Sequence, residues 1–156
     1  MRSSLNKKEK EVEEFVCRNC SKLVKLDRRF SGTEYRNHCP FCLWSVHLGQ
    51  DWPDHKGSVC SGKMEPIGLT FKHEGKNKYG QIKQGELMVV HQCRNCRQVT
   101  INRIAADDNP DKLMETFKKS LIMENYLKKE VEGYKIMLLN KEDEKEIIRQ
   151  LFGKTE

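Results

Sequence analysis

The sequence predicts a small α+β protein, β-rich through its first two thirds and α-rich in its tail, and three observations carry that expectation. Cysteines fall in three Cys-x-x-Cys pairs, Cys17/Cys20, Cys39/Cys42 and Cys93/Cys96, with a seventh at Cys60. Short runs of β-type composition flank those pairs. After residue 106 cysteines cease, and from Leu113 apolar residues recur every three or four positions, the period of an amphipathic helix. Together these describe a small, zinc-stabilised fold: a β-rich, double zinc-ribbon-like module over residues 13–106, preceded by a polar segment 1–12 and followed by an α-rich extension 107–156.

The case for metal begins with what the chain lacks. Of its 156 residues 37% are hydrophobic and 33% charged, against about 45–50% and about 25% in ordinary globular domains. A chain this poor in apolar surface needs cross-links or a partner to complete its burial. Residues 1–14 are rich in charge and contain no apolar stretch, so no secretory signal is expected. The longest run without Asp, Glu, Lys or Arg is fourteen residues, 37–50, too short to span a bilayer. A cytoplasmic protein without a membrane anchor is the expectation. In a reducing compartment thiols stay free or bind metal, and seven cysteines cannot close entirely into internal disulfides.

Taken in order, residues 65–74 and 86–92 read as two strands joined by the polar, glycine-containing loop 75–85, and residues 98–105 as a third. Asp107-Asp108-Asn109-Pro110 is a cap-and-proline start signal. Leu113, Met114, Phe117, Leu121, Ile122 and Leu127 then form the stripe of a helix ending near Lys129. A β-like run, 134–139, follows Gly133. Asn140 is placed to cap a last helix, 141–152, with Ile147, Ile148 and Leu151 on its apolar side. The tetrapeptide Cys-Arg-Asn-Cys occurs twice, at residues 17–20 and 93–96.

Two residues between paired cysteines let the backbone turn around an ion, so that both sulfurs reach it at about 2.3 Å. Three pairs, Cys60 and a histidine supply eight ligands, enough for two Zn²⁺ ions. Sequential closure places Cys17, Cys20, Cys39 and Cys42 on one ion and Cys60, Cys93, Cys96 and a histidine on the other. Joining the first pair to the third instead would enclose 72 intervening residues rather than 18, adding roughly 1 kcal/mol of loop-closure entropy. That tilts the pairing without deciding it. For the eighth ligand the residues order His47 first, His55 second and His38 third, because Cys39 beside His38 already points at an ion.

The stretch Arg36-Asn37-His38-Cys39-Pro40-Phe41-Cys42-Leu43-Trp44-Ser45-Val46-His47 resembles the defining motif of the RNHCP domain family. The resemblance continues through Cys60-Ser61-Gly62-Lys63-Met64-Glu65-Pro66-Ile67, Cys93-Arg94-Asn95-Cys96 and Asn102-Arg103-Ile104-Ala105, covering roughly residues 13–110. It implies a zinc-binding module without an established reaction. It also favours His47 as the eighth ligand, since a histidine five residues after the second motif cysteine belongs to the family pattern. One departure is that Ser21 and Arg97 follow the first and third pairs, where such knuckles commonly carry glycine.

Chemistry is not expected at these sites. Sulfur-rich sets of four ligands are closed and structural, whereas a catalytic zinc keeps a position open. Cys39-Pro40-Phe41-Cys42 resembles a redox dithiol, but no βαβ pattern surrounds it. An HNH-like nuclease would need His38 or His73 as its base, and no second histidine or Asn is placed by the sequence to complete that set.

The partner expected from charge is RNA or a ribonucleoprotein, with the ribosome or tRNA as settings. Residues 1–106 carry 19 Lys and Arg against 11 Asp and Glu, whereas residues 107–156 carry 10 against 12, so the basic character belongs to the cysteine-bearing part. Arg18 and Arg94 sit inside their knuckles, and Lys22, Lys25, Arg28, Arg29, Arg36, Arg97 and Arg103 lie near the cysteines as candidate phosphate contacts. Tyr35, Phe41, Trp44 or Trp52 could stack on unpaired bases, though Trp44, within a cysteine-flanked motif, reads more as core than as platform. The alternative is a protein-interaction scaffold offering Leu113, Met114, Phe117 and Leu121 of the tail helix to a partner groove.

Overall fold

The computed structural model describes residues 14–26, 29, 32, 38–47 and 60–153. The first cysteine pair sits at the turn of a two-stranded antiparallel hairpin, β1 (Glu14–Val16) and β2 (Leu23–Lys25), in which Phe15 lies opposite Val24. A second sheet has four antiparallel strands in the order β3 (Ser45–Val46), β4 (Lys63–Phe71), β5 (Leu87–Cys93) and β6 (Val99–Arg103). Its three long strands fall where the β-type runs predicted them, shifted by a few residues at the ends. The register of β4 on β5 shifts between Pro66 and Gly68, because a proline cannot donate to the ladder and the strand takes it up in a bulge.

Strand β5 is buried on both faces. Leu87 and Val89 point into the main core with Leu43, Leu69, Leu113, Phe117, Leu139 and Ile147. Val90 is one position on and faces the opposite side, where it meets Val99 and Val131. This two-sided burial dictates the path of the tail. Helix α1 (Pro110–Leu121) starts as expected, with the Asn109 side chain accepting from the backbone N–H groups of Asp111 and Lys112. It buries Leu113 and Phe117 in the main core, so the stripe expected to serve a partner groove is covered by the protein's own sheet.

The helix does not continue to Lys129. It stops at Ile122, and a separate helix α2 (Asn125–Glu132) follows. One straight helix could not place Phe117 on one face of the sheet and Val131 on the other, so the chain breaks between them. The run 134–139 is not a strand. Two hydrogen bonds tie it to β4, from the Leu139 N–H to the Leu69 carbonyl at 2.9 Å and from the Thr70 hydroxyl to the Met137 carbonyl at 2.7 Å. Gly68 permits this approach: a Cβ there would lie 2.5 Å from Leu138 Cδ2 and 3.2 Å from Ser120 Cβ. Asn140 then caps a short 3-10 turn, Lys141–Asp143, that leads into α3 (Glu144–Phe152) and returns Ile147 to the main core. Among the described residues no helix is long and apolar enough to cross a membrane.

Because Phe117 is fully buried between sheet and tail, Phe117→Ala should lower the unfolding free energy of the metal-loaded protein by about 3–5 kcal/mol, the usual cost of such a cavity. Guanidinium unfolding followed by circular dichroism measures this. A loss below about 1 kcal/mol would mean that the tail is not part of the core.

Candidate metal centres

The three cysteine pairs fold alike. In each, the first cysteine's N–H donates to the carbonyl five residues on, and the N–H four residues on donates back to that cysteine's carbonyl. The pairs are Cys17 with Lys22 and Ser21 (2.9 and 2.9 Å), Cys39 with Trp44 and Leu43 (3.0 and 2.8 Å), and Cys93 with Gln98 and Arg97 (2.9 and 3.0 Å). Closing so tight a loop requires a left-handed residue after the second cysteine, and Ser21, Leu43 and Arg97 have φ of 63°, 68° and 66°. Ser21 and Arg97 thus adopt the turn without the glycine that usually relieves it, at a cost of about 1 kcal/mol or more each. Cys60 has no such pair. It precedes β4, where the Ser61 N–H donates to the His47 carbonyl at 3.1 Å and the His47 N–H to the Gly62 carbonyl at 2.8 Å. That short antiparallel bridge brings the histidine and the lone cysteine together.

Two clusters result, one of Cys17, Cys20, Cys39 and Cys42 and one of His47, Cys60, Cys93 and Cys96, each with all four donor atoms within 4.8 Å of one another. Donor spacing tests whether a metal fits. Cys17 and Cys42 sulfurs are 3.6 Å apart, Cys20 and Cys39 3.7 Å, Cys60 and Cys93 3.5 Å, and Cys96 Sγ lies 3.3 Å from His47 Nδ1. Bonds of about 2.3 Å to sulfur and about 2.0–2.1 Å to nitrogen at tetrahedral angles need edges of about 3.6–3.8 Å. Both clusters are able to hold a tetrahedral metal ion. Burial pushes the Cys39 thiol up, whereas hydrogen bonds from the Asn95 amide and the Gly62 backbone pull Cys60 down to about 6. Four sulfurs packed this closely would repel as thiolates without a cation among them.

His38 and His55 were the other candidate ligands. His38 Nε2 points away from both clusters to Asp108 Oδ2, at 2.5 Å in a buried pair; His55 lies outside the described residues. No spacing in the sequence marks what His38 does. Asp108 Oδ2 also accepts the Ala105 N–H at 2.9 Å, and the Asn109 N–H reaches the Pro40 carbonyl at 2.9 Å. The His91 ring stands 5.6 Å from that of His38. Its Nε2–H donates to the Leu43 carbonyl at 2.6 Å, and its Nδ1 accepts from the Asn102 amide at 2.7 Å. Burial first, and then the neighbouring His38, push His91 down to about 3, so it is neutral. These groups fasten the second knuckle to the sheet. They also unite His38, His91 and an Asn, the set that a nuclease reading lacked, but the histidines are only 2% and 0% exposed. Both rings are buried where they join the second knuckle to the sheet and to the start of the tail.

The basic residues divide. Arg94 pairs with Glu65 at 2.9 Å, Arg103 with Glu86 at 3.0 Å, and Arg97 grips Glu130 with two nitrogens at 2.9 and 2.8 Å. Lys22 sits over the Phe41 ring, 4.7 Å from its centre, and Arg29 is exposed. Arg18 donates one nitrogen to the Ser61 carbonyl at 3.1 Å, which links the two metal clusters. Arg28, Tyr35, Arg36 and Trp52 lie outside the described residues. Between the hairpin and β3 runs an open groove of about 370 Å³, lined by Phe15, Arg18, Asn19, Trp44, Val46 and Lys63 among others.

The family model described as the RNHCP domain matches residues 12–114. No curated protein and no solved structure matches the chain.

The second cluster is tightly enclosed on one side and open on another, and each side can be tested. A Cβ on Gly62 would lie 2.6 Å from Cys93 Sγ and 2.7 Å from Asn95 Cβ, so Gly62→Ala should reduce bound metal from two ions per chain towards one, counted by native mass spectrometry. Two retained ions would show that the second cluster does not need this approach. Cys96 is exposed, whereas Cys17 and Cys39 of the first cluster are buried. A chromogenic chelator should therefore release metal in two phases, and Cys96→Ser should abolish the faster one; disappearance of the slower phase would contradict the assignment.

Proposed function

The chain belongs to the RNHCP domain family, and from that premise we propose that it is a non-catalytic two-zinc protein that binds unpaired RNA, free or within a ribonucleoprotein. Zinc is the ion that Cys₄ and Cys₃His sets of this spacing favour over harder cations. Four protein donors per ion leave no position for a substrate, so the metal supplies cross-links and no reaction. Thiol ligands of this kind suit a reducing compartment such as the cytoplasm.

One observation carries the RNA reading: the groove between the hairpin and β3 is lined by two aromatic residues, Phe15 and Trp44, together with Arg18 and Lys63. A nucleotide has a base to stack on aromatic rings and a phosphate to meet cations, and that combination is what single strands require. Arg18 uses one nitrogen on Ser61, and a guanidinium carries five N–H donors, so it can hold the groove wall and a phosphate together. Arg94, Arg97 and Arg103 are engaged by carboxylates and add less field than their number suggests.

The test is binding of a fluorescent single-stranded RNA across a salt series, with zinc-loaded protein. Affinity should fall steeply with salt, and Trp44→Ala should weaken it by about 1–3 kcal/mol, the worth of one stacked base. Absence of binding at low salt would remove the proposal.

A further inference from the structure

The link between β4 and β5 is longer than a hairpin needs. Fifteen residues, 72–86, separate Phe71 from Leu87, whereas two to five suffice to join antiparallel strands. Extra length of this kind is commonly disordered, yet here it is built. The Lys72 N–H donates to the Glu86 carbonyl at 2.8 Å, Lys83 to Gly75 at 3.0 Å, and Asn77 to Gln81 at 2.8 Å. At the tip the Asn77 side-chain oxygen accepts from the N–H groups of both Tyr79 and Gln81, at 2.9 and 3.0 Å. At the base Gln150 of α3 accepts from the Leu87 N–H at 2.8 Å and donates to the Gly85 carbonyl at 3.0 Å. The segment is a finger, clamped by a helix at its root and closed by an Asn-centred turn at its end.

What this finger presents is at odds with a mere connector. Tyr79 is 74% and Ile82 82% exposed at its end, and no described residue packs on either as core. Lys72, Lys76, Lys78 and Lys83 are all exposed along it, against Glu74 as the only acid besides Glu86, which pairs with Arg103. Lys78 Nζ lies 5.1 Å from the centre of the Tyr79 ring, so a cation and an aromatic face are offered together. Ordering a segment that carries an exposed tyrosine and four lysines gives up entropy and buries no core surface in return. The return must come from outside, and the charge points to a polyanion.

We propose that residues 72–86 form a second RNA contact, in which Tyr79 stacks on an unpaired base and Lys76, Lys78 and Lys83 lie against the flanking phosphates. This rests on the RNA reading of the groove and extends it: the groove and the finger hold one strand at two points, and the finger's turn and root are already hydrogen-bonded without RNA. Preformed surfaces of this sort limit the ordering that binding requires.

The experiment uses full-length, zinc-loaded protein, a fluorescent single-stranded RNA, and two variants, Tyr79→Ala and the triple change Lys76→Gln/Lys78→Gln/Lys83→Gln. All four positions are exposed, and unchanged circular dichroism and zinc content serve as the folding control. The triple variant should lower the slope of log affinity against log salt by about 2, since each phosphate no longer neutralised takes roughly 0.7 from it. Tyr79→Ala should weaken binding roughly five-fold or more without changing that slope, since stacking carries no counterion release. Wild type that binds RNA, with both variants indistinguishable from it, would overturn the finger and leave the groove standing. Wild type that binds no RNA would overturn both. Retention of wild type on phosphatidylserine vesicles, abolished in both variants while RNA binding is unchanged, would reassign the finger to a membrane surface and also overturn the proposal.

Discussion

Eight donor atoms stand in two groups, each close enough to hold one cation, and the packing around the first group shows how much would rest on that cation. The apolar group around it consists of Cys17, Val24 and Cys39, with Phe15, Cys20 and Cys42 packed against them. Most of that group is ligand. With no metal there is little to hold the β1–β2 hairpin to the second knuckle, because one valine and one phenylalanine bury too little surface to offset the entropy of ordering the segment. The main core is different in kind, a set of large aliphatic and aromatic side chains supplied by sheet and helices. The first cluster is thus packed mainly through its own candidate ligands, whereas the main core is packed in the conventional way.

The join between them is polar and buried. His91 on β5 reaches the carbonyl of Leu43, and Leu43 itself enters the main core while its backbone closes the second knuckle. His38 and Asp108 tie the residue before that knuckle to the start of the tail. Both ring nitrogens of His91 are hydrogen-bonded and His38 Nε2 is paired with Asp108, so burial of the two histidines is offset without their serving as ligands. Arg18 adds a surface link from the first knuckle to Ser61, beside the second cluster. Both clusters and the sheet are therefore linked into one frame.

Much of this is readable from spacing, and the limits of reading follow the reach of each interaction. A Cys-x-x-Cys turn is local, so all three knuckles are visible in the sequence, as are the long strands and the Asn109 and Asn140 caps. The break after Leu121 is not, because it answers to Phe117 and Val131 lying on opposite faces of a sheet. The run 134–139 has strand-like composition, but its neighbour β4 offers it only an edge already shaped by the Pro66 bulge. Arg94 and Arg97 look like phosphate contacts in the sequence because Glu65 and Glu130 are far along the chain. His91 and Asp108 carry no motif spacing at all. Trp44 reads more as core than as platform in the sequence, and in the structure it is only partly buried and lines the groove.

The central claim is that metal, held by sulfur, gives the first part of the chain its shape. Amide NMR spectra of the isotope-labelled protein, taken under reducing conditions before and after chelation, address it directly. Removal of zinc should collapse the dispersed signals of residues 14–26 and 38–47, and returning zinc should restore them. Metal-free protein that keeps Val24, Cys39 and Trp44 dispersed and unshifted would contradict the account.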